Sequence, residues 1–317
     1  MRGFPAVCAA ILAIFLAGPR TGPVAPVPAA EAQVLYCAYC GRQIEGRYLQ
    51  DQGRAYHPKC AAQVAPRCVI CTKPILTSAR VDIWGFHAHS DHGWDIDWCT
   101  YCGRIIGQAS TGGGVTYTDG RAVCNLCRKT AIDTPEAGAR VMARVRKRLV
   151  EWGIVLDYPP IPLQVGMKPW LRQVQGQGSR HIGETAEGLM EAEVTQRVKR
   201  GKGLGRRVVL SIYALSGMPE EKFASVMGHE LMHAWGYLAG SQRRHPQLEE
   251  GAASYVEALI LAEARSPEGA KRLEMIQNER DYTYGTGFRR VRRFVETRGW
   301  TALLDVLRTQ EDLPPGY

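Results

Sequence analysis

The chain has 317 residues, 45% of them hydrophobic and 22% charged. That is long enough for two domains with a sizeable core and excludes a disordered or fibrous polymer. Its 40 Lys and Arg outnumber 31 Asp and Glu, for a formal charge of +9. Such a balance favours acidic partners or anionic surfaces, but no nucleic-acid module accompanies it, so no nucleic-acid partner is expected.

Residues 1–32 read as a signal peptide. Arg2 supplies a positive start, Ala6 to Ala17 an apolar run containing Cys8, and Ala30-Glu31-Ala32 a cleavage site before Gln33. The expectation is export, periplasmic or extracellular, with an uncleaved N-terminal membrane anchor as the alternative. The run is too short for a comfortable span and no other segment is long enough, so no transmembrane span is expected after cleavage.

The nine remaining cysteines all fall in pairs with metal-ligand spacing. The first set is Cys37-x2-Cys40-x16-His57-x2-Cys60, the second Cys68-x2-Cys71-x17-His89-x2-His92, and the third Cys99-x2-Cys102-x21-Cys124-x2-Cys127. Two ligands from one tight turn and two from another are what tetrahedral zinc requires. The sets also look like copies: Cys40-Gly41-Arg42 parallels Cys102-Gly103-Arg104, and Gly53-Arg54-Ala55 before His57 parallels Gly120-Arg121-Ala122 before Cys124. In the middle set the spacing favours His89 and His92, while an aromatic-His match favours His87. Disulfides, the alternative in an oxidising compartment, would strand one thiol of nine and leave the histidines unused.

Thr134-Pro135-Glu136 opens a helix to about Trp152 whose basic residues include Arg140, Arg144, Arg146, Lys147 and Arg148. Ile161 to Lys168 reads as a strand. Val208 to Ala214 is apolar and β-branched, a strand or the start of a buried helix. Pro219, with Glu220 and Glu221, then signals a helix start, and Gly240 its stop. Pro246 opens a second helix towards Ala264, and helices dominate the rest. His181 reads as a surface residue.

The first of these two helices carries His229-Glu230-Leu231-Met232-His233. On a helix the two imidazoles share one face, a turn apart, as two ligands of one zinc must. Glu230 faces the same cleft and can act as general base. A carboxylate from Glu249-Glu250 on the second helix completes a three-ligand set with an open fourth position. Gly228, costly in a helix by about 1 kcal/mol, suggests a tightly packed backbone there.

The paired knuckles of residues 37–127 resemble LIM-type zinc modules, and residues 134–317 resemble the DA-one-like metallopeptidases. The matching residues are Leu215-Ser216-Gly217-Met218-Pro219, then His229 through Trp235, Glu249-Glu250-Gly251, and Tyr284-Gly285-Thr286-Gly287-Phe288-Arg289. The resemblance implies that His229, His233 and Glu250, rather than Glu249, bind zinc and that Glu230 is the base. The chain departs from plant members in its export signal, an extra knuckle pair and the lack of ubiquitin-interacting helices, so ubiquitin-linked activation is not carried over.

The expected organisation is therefore α+β: a zincin-like metallopeptidase domain over 133–317, preceded by tandem LIM-like zinc knuckles over 33–132. One catalytic and about three structural zinc ions are expected. The expected function is zinc-dependent hydrolysis of a peptide or protein substrate, with the knuckles binding a protein partner or regulating the enzyme. Two alternatives stand: an interaction scaffold with an inactive zincin-like domain, and a zinc hydrolase acting on non-peptide amides. Tyr282, Tyr284 and His245 are candidate donors to an oxyanion.

Overall fold

The computed structural model describes residues 34–167, 187–199, 202–239 and 244–317. The leader of residues 1–32, His181 and the stop at Gly240 lie outside them. The chain divides into two compact units, one ending at Ala61 and one running from Ala62 to Tyr317. Among the described residues no helix is long and apolar enough to cross a membrane.

The three knuckles share one local architecture. Each begins with a tight turn in which the first cysteine's N–H donates to the carbonyl five residues on: Cys37 to Arg42, Cys68 to Lys73, Cys99 to Arg104. Each continues into an antiparallel hairpin. The first pairs β1 (Leu49–Asp51) with β2 (Arg54–Tyr56), followed by α1 (Pro58–Val64). The second pairs β3 (Ala79–Val81) with β4 (His87–His89), followed by a 3-10 turn at Ser90–Asp95. After α2 (Gln108–Thr111), the third pairs β5 (Gly114–Thr116) with β6 (Ala122–Cys124), followed by α3 (Asn125–Arg128). The third ligand thus sits at the end of the hairpin and the fourth in the helical turn after it. The first turn needs a left-handed residue at the same place in every copy. Gly41 and Gly103 take φ +69° there, whereas the middle copy puts the β-branched Thr72 at φ +63°, a conformation L side chains resist.

The copies differ in what surrounds them. Cys37, Tyr56 and Ala61 form a small cluster in the first unit. The middle knuckle packs Cys68, Val69, Ile75, Ala88 and Ile96 around Ile105, and Asp82 ties it to the third by accepting from Ile105 N at 2.8 Å. The third knuckle belongs to the main core, where Cys99, Cys102, Val123, Cys124 and Cys127 cluster with Met218, Phe223, Met227 and Leu231.

β7 (Ala131–Ile132) follows, then α4 (Pro135–Glu151). Thr134 caps α4 by accepting from Ala137 N at 3.3 Å, with Pro135 in the first turn as expected. Val141, Met142, Val145 and Leu149 are buried at helical spacing, while Arg140, Arg144 and Lys147 face out. β8 (Leu163–Gly166) lies parallel to β10 (Lys202–Leu215), which pairs antiparallel on its other side with β9 (Gly188–Lys199), so β9 is an edge. Val208 to Ala214 is therefore strand: Leu210, Ile212 and Ala214 are buried in alternation.

β11 (Met218–Pro219) pairs with β7, and Glu220 N donates to Thr130 O at 2.8 Å. Pro219, expected as the first helical residue, is the last of this strand. The third knuckle holds the segment from a second side. Arg121 donates to Ser216 O at 2.6 Å and to the Tyr101 hydroxyl, and pairs with Asp119 at 2.7 Å, both side chains 1% exposed. Gly217 takes φ +80° against Tyr117, whose hydroxyl would lie 2.7 Å from any Cβ there.

Helices complete the second unit: α5 (Glu220–Ala239), α6 (Pro246–Ala264), α7 (Pro267–Asn278), α8 (Tyr284–Arg298) and α9 (Trp300–Thr309). Glu220 and Glu221 lie in the first turn of α5, favourable at the positive helix end. A Cβ at Gly228 would collide with Ile260 of α6, which accounts for glycine in mid-helix. α6 and α8 cross backbone to backbone, Gly251 against Gly287 and Gly287 against the Gln247 carbonyl.

Candidate metal centres

Zinc ligands lie about 2.3 Å away for sulfur and 2.0–2.1 Å for nitrogen or oxygen, so tetrahedral geometry sets about 3.7 Å between two sulfurs, 3.5 Å between sulfur and nitrogen, and 3.3 Å between nitrogen and oxygen. The donor atoms of four groups lie close to these spacings. In the third knuckle, Cys99 and Cys127 Sγ are 3.7 Å apart, as are Cys102 and Cys124, and all four residues are buried. In the first, His57 Nδ1 lies 3.5 Å from Cys40 Sγ and 3.9 Å from Cys60 Sγ, with Cys37 alongside. In the middle knuckle, His92 Nε2 is 3.3 Å from Cys68 Sγ and His89 Nδ1 3.4 Å from Cys71 Sγ. His89 and His92 thus join the donor set, and His87 and Asp91 stay outside it. The free nitrogens of His57 and His89 face the Gln43 and Pro74 carbonyls at 3.2 and 3.1 Å, orienting both rings. The nine described cysteines are free of disulfides.

The fourth group joins α5 to α6. His229 Nε2 and His233 Nε2 are 3.1 Å apart, and Glu250 Oε2 lies 3.3 and 3.4 Å from them. Glu250 Oε2 is buried without a hydrogen bond, and an anionic oxygen left that way beside two imidazole nitrogens is what a cation would satisfy. Glu249 stands further off, 3.9 Å from His233 Nδ1 and 3.6 Å from Arg244. The Gly251–Gly287 crossing fixes Glu250, since a residue larger than glycine at 251 would push α6 off α8.

The electrostatics match a site built for positive charge. Burial alone would depress His229, but Glu250 and Glu257 raise it to about 9. Burial opposes ionisation of Glu250, yet the two histidines hold it below the usual carboxylate range. Protons thus stand where a metal would, and the two compete. Glu230, 6% exposed, is pushed up by burial. Gly188 at the start of β9 runs directly over it, and a Cβ there would lie 2.7 Å from Glu230 Oε1.

The oxyanion candidates separate. Tyr282 is 72% exposed. His245 caps α6, accepting from Gln247 N at 3.3 Å. Tyr284 opens α8, and burial, with the Glu250 and Glu230 charges, pushes its phenol up, so it keeps its proton. Gln247 steadies this turn, donating to Tyr282 O and accepting from Arg290, both at 2.8 Å. Sequence reasoning missed Lys222, Glu187 and Glu257, which form a polar cluster behind His229. Glu257 lies seven residues after Glu250 on the same helix face, a spacing that could have exposed it.

Residues 175–273 match the family model described as DA1-like, Protein DA1. Protein DA1-related 1 of Arabidopsis thaliana is 24% identical over 341 aligned positions, covering 88% of this chain and 61% of that protein. LIM domain-containing protein HDR3 of Oryza sativa subsp. japonica is 26% identical over 252 positions, 69% and 49% of the two chains. Zyxin of Mus musculus is 24% identical over 129 positions, 31% and 23%. The chain spans about half to three-fifths of the two plant proteins. No solved structure matches it. The chain thus carries a DA1-like segment over residues 175–273, with Cys/His clusters of LIM type on its N-terminal side.

Proposed function

We propose that the chain is a zinc-dependent metallopeptidase with a zincin-like domain, and that its knuckles bind a protein partner or regulate it. The observation that carries this reading is the convergence of His229, His233 and Glu250 at tetrahedral spacing with Glu230 on the same helix. Zinc in a three-ligand set supplies a Lewis acid and a more acidic water. Glu230, its carboxyl raised by burial, accepts a proton from the attacking water and returns it to the leaving amine. Tyr284, neutral in its buried place, donates to the developing oxyanion. The knuckles have four ligands each and no vacancy for substrate, so their part is structural and interactive.

A second reading is a zinc-knuckle interaction protein whose helical region does no chemistry. It is favoured by the relatives, which include a protein named for its LIM domain, and by the number of closed sites. Glu230→Gln decides between the two: on the first reading it keeps its zinc and fold and loses hydrolysis of peptide and protein substrates by at least 100-fold. Equal turnover by both proteins, or none by wild type across a broad peptide and protein screen, would refute the peptidase reading; turnover confined to non-peptide amides would redirect it to another hydrolase class.

A further inference from the structure

Behind the fourth donor group lies the polar cluster that no motif announces. His229 Nδ1 is buried and makes no hydrogen bond, and the group facing it is Glu257 Oε2 at 3.5 Å. The other oxygen of Glu257 accepts from Lys222 Nζ at 3.0 Å and Ser225 Oγ at 3.1 Å. Lys222 also holds Glu187 at 2.7 Å. Glu187 immediately precedes Gly188, the residue by which β9 lies against Glu230. One ammonium therefore joins the segment entering β9, helix α5 and helix α6.

We propose that Lys222 is a positioning residue of this centre: through Glu257 it fixes the ring and tautomer of His229, and through Glu187 it holds β9 against Glu230. The first arm rests on the donor set alone, and the second rests on the metallopeptidase reading. A neutral imidazole that ligates through Nε2 carries its proton on Nδ1, and that buried N–H needs an acceptor. Glu257 is placed to be it. The Glu257 side chain is 12% exposed and that of Glu187 27%, so without the cation between them two carboxylates would face each other in a poorly solvated space. Glu257 would then turn away from Glu187 and stop facing the His229 N–H. The same loss would free the entry to β9.

The test uses the full chain with zinc itself as the probe, measured by chelator competition. The zinc lost in Glu250→Ala identifies the centre among the four sites. Glu257→Gln and Lys222→Met should each weaken that zinc by roughly 10–100-fold, with circular dichroism unchanged and the three knuckle zincs retained. Lys222→Arg should restore most of the affinity, because a guanidinium can bridge the same carboxylates. Glu187→Gln should leave the zinc affinity within about threefold of wild type and raise KM for peptide more than it lowers kcat. Wild-type zinc affinity in a folded Lys222→Met or Glu257→Gln protein overturns the proposal. If Lys222→Met does not fold, Glu257→Gln, nearly isosteric, carries the same requirement. Zinc loss in Glu187→Gln equal to that in Glu257→Gln would overturn the division into two arms. Absence of hydrolysis in wild type would count against the peptidase reading and leave the zinc result to stand or fall alone.

Discussion

Replacing Cys124 by serine removes one ligand from the third knuckle, whose cysteines are 0–6% exposed within the main core. A structural zinc contributes about 10–16 kcal/mol in small peptides at neutral pH, against a net stability of about 5–15 kcal/mol for a whole domain. Losing a third of the former, about 3–5 kcal/mol, removes most of the latter at its low end and about a third at its high end. The remaining thiolates would also stand within about 4 Å of one another without a counter-charge, a spacing set by zinc geometry. The damage would pass through the Arg121–Ser216 bond and the β7–β11 pair to the first turn of α5, which carries His229 and His233. The expected zinc content is therefore about two per chain rather than the three that independent sites would give, with the thermal transition of the second unit lowered by at least 10 °C or lost. Cys40→Ser, at an exposed ligand of the first unit, should lose one zinc only. Elemental analysis with calorimetry measures both. Three zincs and an unchanged transition in Cys124→Ser would refute the shared-core account.

Thr72→Gly should tighten the middle knuckle by about 1 kcal/mol: the left-handed penalty of 1–2 kcal/mol is relieved and partly offset by the entropy of glycine; no gain in chelator resistance would argue against strain at Thr72. Gly251→Ala should abolish the fourth zinc while sparing the other three, because the added carbon meets the Gly287 backbone and overpacking against main chain costs at least 1–3 kcal/mol; four zincs with full affinity would show that the helices can separate freely. With the knuckle zincs in place and the fourth site empty, His229 rises from about 6.5 unfolded to about 9 folded. Its stabilising contribution is thus complete below about pH 6.5 and lost as pH rises through 9, whereas that of Glu250, held low, is present above the ordinary carboxylate range and lost on acidification. The increase in melting temperature on adding zinc should therefore grow between pH 6.5 and 9, and a flat or falling increment would contradict it.

The donor sets were legible in the sequence because each knuckle pairs ligands separated by two residues, and because His229 and His233 share a helix turn. The choice of His89 and His92 over His87 also follows a local rule, the two-residue gap. β9 was legible but missed: Met190, Ala192, Val194 and Val198 alternate with Glu191, Glu193, Thr195, Arg197 and Lys199, the period of a strand with one apolar face, although among the described residues only β10 supplies its partner. Val208 to Ala214 stayed ambiguous, since apolar runs acquire a period only when packed. Lys222, Glu187 and Glu257 come from three elements, and a cluster assembled by tertiary packing leaves no short motif.

The three knuckles are copies by sequence and by hairpin, yet they have had different fates. The first stands in a unit of its own with its own small cluster. The third is part of the main core: its ligands double as core residues, and Arg121 braces the Ser216 carbonyl in the segment that leads into the next helix. A repeated unit in a chain is therefore not automatically a repeated domain. Repetition supplies the copies, and burial decides which of them stand in a cluster of their own and which share the main core.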